Sequence, residues 1–174
     1  MENTLKFTTS QSENSTSHAN SRMAVYALDG NIDESSDYST FSPMNLTHIT
    51  FNLEGIKLIN SIGVQRWIQF LEGIPAGITI AFEKCPLRII NQMNLFPEFT
   101  GGKPVEVKSF YAPYFCTACD SSFSSLIDQA QHAATLVQLK APPMDCPKCK
   151  GSAVFDGIEK KYFVFLKRAS QGKS

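Results

Sequence analysis

Ile49 to Leu71, ITFNLEGIKLINSIGVQRWIQFL, decides the fold class. Ile49, Phe51 and Leu53 alternate with Thr50, Asn52 and Glu54, the period-two pattern of a strand with one buried face. Gly55 is expected to end that run. Past Ile56, Leu58 and Ile59 the period changes. Val64, Trp67, Ile68 and Leu71 recur at helical spacing, with Gln65, Arg66, Gln69 and Glu72 opposite, which describes an amphipathic helix. Asn60 and Ser61 stand where it starts, and their side-chain oxygens can accept from the free N–H groups of a first turn. That turn is expected to be polar and exposed. Unpaired N–H groups and the macrodipole favour negative charge there, so the spot could hold an acidic group or a phosphoserine at Ser61.

Around this stretch the chain reads as alternating strand and helix. Ala24 to Leu28 is strand-like and meets Asp29-Gly30, a stop signal. A Ser-rich loop runs to Pro43. After the central helix, Pro75-Ala76-Gly77 makes a turn and Ile78 to Phe82 a strand, and Pro86 suits a first helical position. Leu87, Ile90 and Met93 mark that helix's inner face, and Val105 to Tyr114 gives one further strand. Strand, helix, strand, helix, strand is an α/β pattern. Residues 1–22, dense in Ser, Thr and Asn, are expected to be mobile, with Thr4 to Thr9 able to add an edge strand.

Three ordered stretches resemble the STAS domains, best known as anti-sigma factor antagonists in bacteria. In those domains an Asp-Leu strand passes through a Gly or His and a short apolar segment into Asp-Ser-Ser-Gly-Leu, which opens a helix. Asn52-Leu53-Glu54-Gly55-Ile56 followed by Asn60-Ser61-Ile62-Gly63-Val64 is similar. Gly30-Asn31-Ile32-Asp33 resembles the Gly-x-Ile/Leu-Asp near the family's start. Pro86 to Met93 with Leu95-Phe96 is similar to the family's helix after its fourth strand.

The resemblance covers about Ala24 to Phe110. It implies a mixed sheet with helices packed on it, and a docking surface for a kinase-like anti-sigma factor, switched by phosphorylating the second serine of the turn. Ile62 occupies that position here, Asn60 replaces the motif's Asp, and Ser61 matches the first serine. Asn60, Ser61, Ile62, Gly63, Gln65 and Arg66 are then the expected partner surface. In it Gly63 would permit close approach and Gln65, Arg66 and Gln69 would extend the outer helix face.

Beyond Phe110 the chemistry changes. Cys116-x-x-Cys119 and Cys146-x-x-Cys149 form a paired C-x2-C arrangement, and four thiolates satisfy tetrahedral Zn²⁺ with no open position, the mark of a structural site. Cys-Pro-x-Cys-x-Gly around Pro147 and Gly151 is a pattern familiar from zinc-ribbon knuckles. Ala153 to Phe155 can supply a strand, Glu159 to Leu166 a closing strand or short helix, and Ser124 to Leu136 a helix. The expected organisation is a segment at 1–22, a STAS-like domain at 23–112 and a zinc-ribbon module at 113–174.

The 174 residues are 43% hydrophobic and carry 16 basic and 16 acidic side chains. That balance gives no global pull toward nucleic acid, membrane or acidic substrates. A cluster of Lys148, Lys150, Lys160 and Lys161 leaves nucleic-acid binding by the ribbon as the alternative function. No apolar run reaches the roughly 20 residues of a membrane span and no secretory signal opens the chain, so a cytoplasmic protein is expected. No P-loop, Rossmann fingerprint or nucleophile elbow is present, and no enzyme is expected. Cys85 at a helix start could have a lowered thiol pKa, against the plainer reading of a small buried residue. Trp67 reads as core. His18, His48 and His132 read as surface or packing residues, His132 being a metal ligand only if a cysteine is not.

Overall fold

The structure, a computed structural model, describes residues 4–13 and 22–171. A mixed five-stranded sheet holds β1 (Lys6–Glu13), β2 (Arg22–Ile32), β3 (His48–Ile59), β4 (Thr79–Glu83) and β5 (Val105–Val107) in that order. β1 runs antiparallel to β2, and β2 to β5 are mutually parallel. Helices α1 (Ser61–Glu72) and α2 (Leu87–Leu95) follow β3 and β4, and a 3-10 turn covers Pro97–Thr100. A second, antiparallel sheet has the order β7 (Ser121–Asp128), β6 (Ser109–Cys116), β9 (Ser152–Phe155), β8 (Met144–Asp145). Short helices α3 (Ala133–Leu136), α4 (Glu159–Tyr162) and α5 (Val164–Gln171) complete the chain.

The central strand is longer than the sequence pattern predicts. β3 passes through Gly55 to Ile59, and β2 passes through Asp29-Gly30 to Ile32. The pairing shifts register between Ala27 and Asp29 and again between Gly30 and Asn31. Gly30 has φ 118°, and a Cβ on Gly55 would fall 2.6 Å from the Leu28 carbonyl oxygen. The two glycines therefore let adjacent strands kink past each other, as at a β-bulge, instead of ending them.

The face of α1 that packs on the sheet is the one its periodicity marked: Val64, Trp67 and Leu71 are buried, with Trp67 fully so. Trp67 meets Phe51, Phe82 and Phe99 at ring-centroid distances of 5.8, 5.9 and 6.0 Å. The loop between β2 and β3 contributes Tyr38, stacked on Phe70 at 4.3 Å, and Phe41, 4.9 Å from Tyr26. Phe7 packs among these rings, and Leu5 is buried. Burying apolar side chains gives the N-terminal segment a reason to order, so the edge strand that Thr4 to Thr9 could add is present and runs on through Lys6–Glu13, where mobility was expected for most of the segment. Residues 1–3 and 14–21 of that expectation lie outside the described residues.

Val105 to Tyr114 is not one strand but β5 and β6, which belong to different sheets. Lys108 is the joint: its N–H donates to the Phe82 carbonyl and its own carbonyl accepts from Gln129 N–H. Cys85 bridges the same boundary, donating its N–H to Ser109 O and accepting from Tyr111 N–H. One core runs through both sheets, because Phe110 packs on Phe163 and Phe165 of the C-terminal segment at 6.0 and 5.0 Å.

The helix expected over Ser124 to Leu136 is instead β7 followed by the four residues of α3. Phe123, Ser125 and Ile127 face inward at period two, and β6 supplies the pairing partner that a single segment cannot announce. Glu159 to Leu166 takes its helical alternative.

Phe165→Ala is expected to cost about 3–5 kcal/mol. Because the core is shared, urea unfolding followed by the fluorescence of Trp67, the sole tryptophan, should stay coincident with that followed by far-UV circular dichroism. Two separated transitions would show the sheets to be independent units.

Candidate functional site

Two places gather the residues singled out by the sequence. The first is the start of α1. Asn60 has extended backbone, φ −108° and ψ 175°, and its Oδ1 accepts the Gly63 N–H at 2.8 Å, the N-cap its residue type predicts. Its Nδ2 donates to Glu34 Oε2 at 2.8 Å. This amide hydrogen bond is the first cause holding the exposed Glu34 carboxyl below its ordinary pKa. The Asn60 N–H donates to Ile32 O at 3.2 Å, which seats the helix on the end of β2.

The remaining turn residues divide into inward and outward sets. Gly63 is buried, and a Cβ there would fall 1.9 Å from the Ile32 carbonyl oxygen. The close approach it permits here is to β2. Arg66 turns its guanidinium back to the chain, where Nη1 donates to Ser36 O at 2.8 Å and fixes the loop after β2. In that loop Asp33 accepts from the Ser35 hydroxyl at 2.7 Å and N–H at 2.9 Å; the hydroxyl is the first cause lowering its pKa. Facing outward are Ser61, Gln65 and Gln69, with Ile62 52% and Leu58 47% exposed. Leu58 and Glu34 were not among the expected contacts. Neither carries a motif, and Glu34 is brought to Asn60 from 26 positions away.

The second place is the cysteine quartet. Cys116 ends β6, Cys119 lies in the turn to β7, and Cys146 and Cys149 lie in the turn between β8 and β9. Pairing of β6 with β9 and β9 with β8 brings the turns together. All four sulfurs lie within 4.8 Å of one another, with Cys116 to Cys149 at 3.5 Å and Cys119 to Cys146 at 3.6 Å.

The turns are alike: the residue after each C-x-x-C pair is left-handed, Asp120 at φ 48° and Lys150 at φ 62°. Gly151 N–H points at Cys149 Sγ, 3.4 Å away. The Cys149 and Lys148 N–H groups donate toward Cys146 and hold its thiol pKa down to about 6 against desolvation. Sulfurs this close together, with backbone N–H groups turned toward them, form a group that could hold a metal ion.

Elsewhere the thiol chemistry is closed. Cys85 is fully buried, and desolvation pushes its thiol pKa up, reversing the activation that a helix start could provide. His132 precedes α3 and is not in the sulfur cluster, His48 meets Thr79 Oγ1 at 3.0 Å, and His18 lies outside the described residues. Among the described residues no helix is long and apolar enough to cross a membrane.

Compared with protein-family models, curated proteins and solved structures, the chain matches none of them.

Gly63→Ala should destabilise the chain by about 3 kcal/mol or more, because the gain in helix propensity is smaller than the overlap with β2. A urea midpoint equal to or above that of the wild type would refute the seating of α1. At the other place, Cys146→Ser should abolish metal binding and lower the melting temperature. An unchanged metal content in mass spectrometry would exclude the quartet as the ligand set.

Proposed function

We propose that this chain is a non-enzymatic regulatory module that binds a protein partner through the start of α1, resembling anti-sigma factor antagonists, with a structural Zn²⁺ in the cysteine quartet. The observation that carries the partner surface is the outward set at the turn. Leu58 and Ile62 leave about half of their area in water beside Ser61 and Gln65, while Asn60 and Arg66 hold the backbone beneath them. Apolar side chains on a preorganised support make effective binding contacts, since little freedom is lost on association. The order of strands and helices around this turn supports the STAS-like reading. The partner would be an anti-sigma factor or another kinase-like signalling protein, and the module would act in a bacterial cytoplasm.

Ile62 stands where the family turn carries its second serine, so this surface would bind through a permanent apolar contact. Ser61, exposed at the first helical position, remains the hydroxyl for phosphorylation; there the N-terminal N–H groups favour a phosphate and the Glu34 carboxylate opposes it. The sulfur spacing supports Zn²⁺ as the ion in the quartet. Tetrahedral Zn–S bonds of about 2.3 Å require sulfurs about 3.8 Å apart, and the sulfurs here span 3.5 Å to less than 4.8 Å. With four cysteines as ligands the ion has no open position, so its role would be to staple the second sheet. Nucleic-acid binding has less support. Lys148, Lys150, Lys160 and Lys161 are exposed, but so are Asp120, Asp145 and Asp156 on the same module.

The test is affinity capture from nuclease-treated host cells with wild type, Ile62→Glu, Ser61→Asp and a Lys148→Gln/Lys150→Gln double variant. Wild type and the lysine variant should retain the same signalling protein, and Ile62→Glu should weaken its binding at least about tenfold, or 1.4 kcal/mol. Binding unchanged by both turn substitutions would remove the α1 start from the function. Nucleic acid captured in a parallel arm without nuclease, and lost only in the lysine variant, would favour the ribbon.

A further inference from the structure

Natural sheets protect their outer strands from pairing with other chains by shortness, charge or cover. Among the described residues, three of the four sheet edges follow that rule. β5 has three residues and lies against α5, and β8 has two. β1 has eight residues but begins with Lys6, the residue type that most deters edge pairing. β7 is the exception. Its eight residues, SSFSSLID, include no proline, no lysine and no charge before Asp128, and they pair with β6 in one unbroken register.

The hydrogen-bond phase shows which β7 groups are left over. Gln129 N–H donates to Lys108 O, and Asp156 N–H donates to Pro113 O. Bonds alternate along an antiparallel pair. Residues 110, 112, 114 and 116 of β6 therefore turn their backbone groups to residues 127, 125, 123 and 121 of β7, and Pro113 faces β9. Ser122, Ser124 and Leu126 direct theirs away from β6. Among the described residues no hydrogen bond reaches these outward groups. Ser122 and Ser124 are exposed, and Leu126 is 42% exposed.

We propose that β7 pairs antiparallel with β7 of a second copy of this chain, joining the two four-stranded sheets into one. Fullest overlap of the eight residues with their own copy leaves two registers, and charge chooses between them. In two-fold pairing only like-facing residues can oppose each other. A two-fold axis at Ser124 sets Asp128 opposite Asp120 of the second copy, two carboxylates in contact. An axis at Ser125 sets Asp128 opposite Ser122 and leaves no like charges facing.

That register opposes Ser124 to Leu126 in both directions, giving about four to six backbone hydrogen bonds across the axis. On the inner face it opposes Phe123 to Ile127, an apolar cross-strand pair. The edge is thus its own complement: neutral along its length, with its single charge at one end, where antiparallel pairing separates it from its copy. The surface is distinct from the start of α1, and the inference does not depend on the proposed signalling role.

Sedimentation equilibrium of the full, metal-loaded chain tests this from micromolar to submillimolar concentration. The expected mass is twice the 19.3 kDa of one chain. Ser124→Pro removes an outward N–H without touching the β6 ladder, and Leu126→Lys places a charge on the exposed edge. Each should raise the dissociation constant at least about tenfold, with circular dichroism and metal content unchanged. If the proline variant loses its metal, Leu126→Lys decides alone, since its side chain already meets water. A single-chain mass for wild type at every concentration overturns the proposal, as does a dimer that survives the substitutions with its fold intact.

Discussion

The contact on which the candidate surface depends is the seating of α1 on the end of β2. Asn60 donates its N–H to Ile32 O, and Gly63 lies so near that carbonyl that no Cβ fits between them. This fixes the helix axis relative to the sheet, and so sets the depth at which Trp67 enters the aromatic core. It also fixes the loop after Ile32, which Arg66 ties down through Ser36 O and Glu34 through Asn60. The outward residues stand on backbone that the Asn60 and Arg66 hydrogen bonds hold in place. A surface of this kind needs no conformational change to present its apolar contacts.

The second constraint is the joint at Lys108. A sheet whose last strand has three residues exposes its core at that edge, and α5 lies against it, with Leu166 lining one cleft with Val105 and Val107 and Phe165 packed on Phe110. Tyr162 O and the Phe165 N–H are held by the Asn94 side chain, which ties α4 and α5 to the end of α2. The second sheet is narrow, with two of its four strands only two and four residues long. Such a sheet has little apolar area of its own, and a metal ion held by the cysteine quartet would add a cross-link to it. Cross-linking two turns through one ion would hold the short strands in register. The alternation of Phe110, Ala112, Tyr114 and Cys116 inward with Tyr111, Pro113 and Phe115 outward continues the main core up to the sulfur cluster.

What the sequence determined by itself was local. The period of two before Gly55 and of 3.6 after Asn60, the N-cap at Asn60, the buried face of α1 and the spacing of the four cysteines need no partner to be legible. Each follows from residue types within a few positions of one another. The tertiary structure decided everything that depends on distant neighbours. Gly55 and Gly30 look like stops and act as bulges because two strands press together there. The segment after Ser121 became a strand because β6 offered it an edge, and β1 became ordered because the aromatic core had room for Phe7. Gly63 lies against the end of β2 and the exposed Arg66 reaches the loop after it, some 30 residues earlier in the chain, contacts that neither segment announces alone. Burial and pairing are properties of two segments at once, and neither segment alone carries the information.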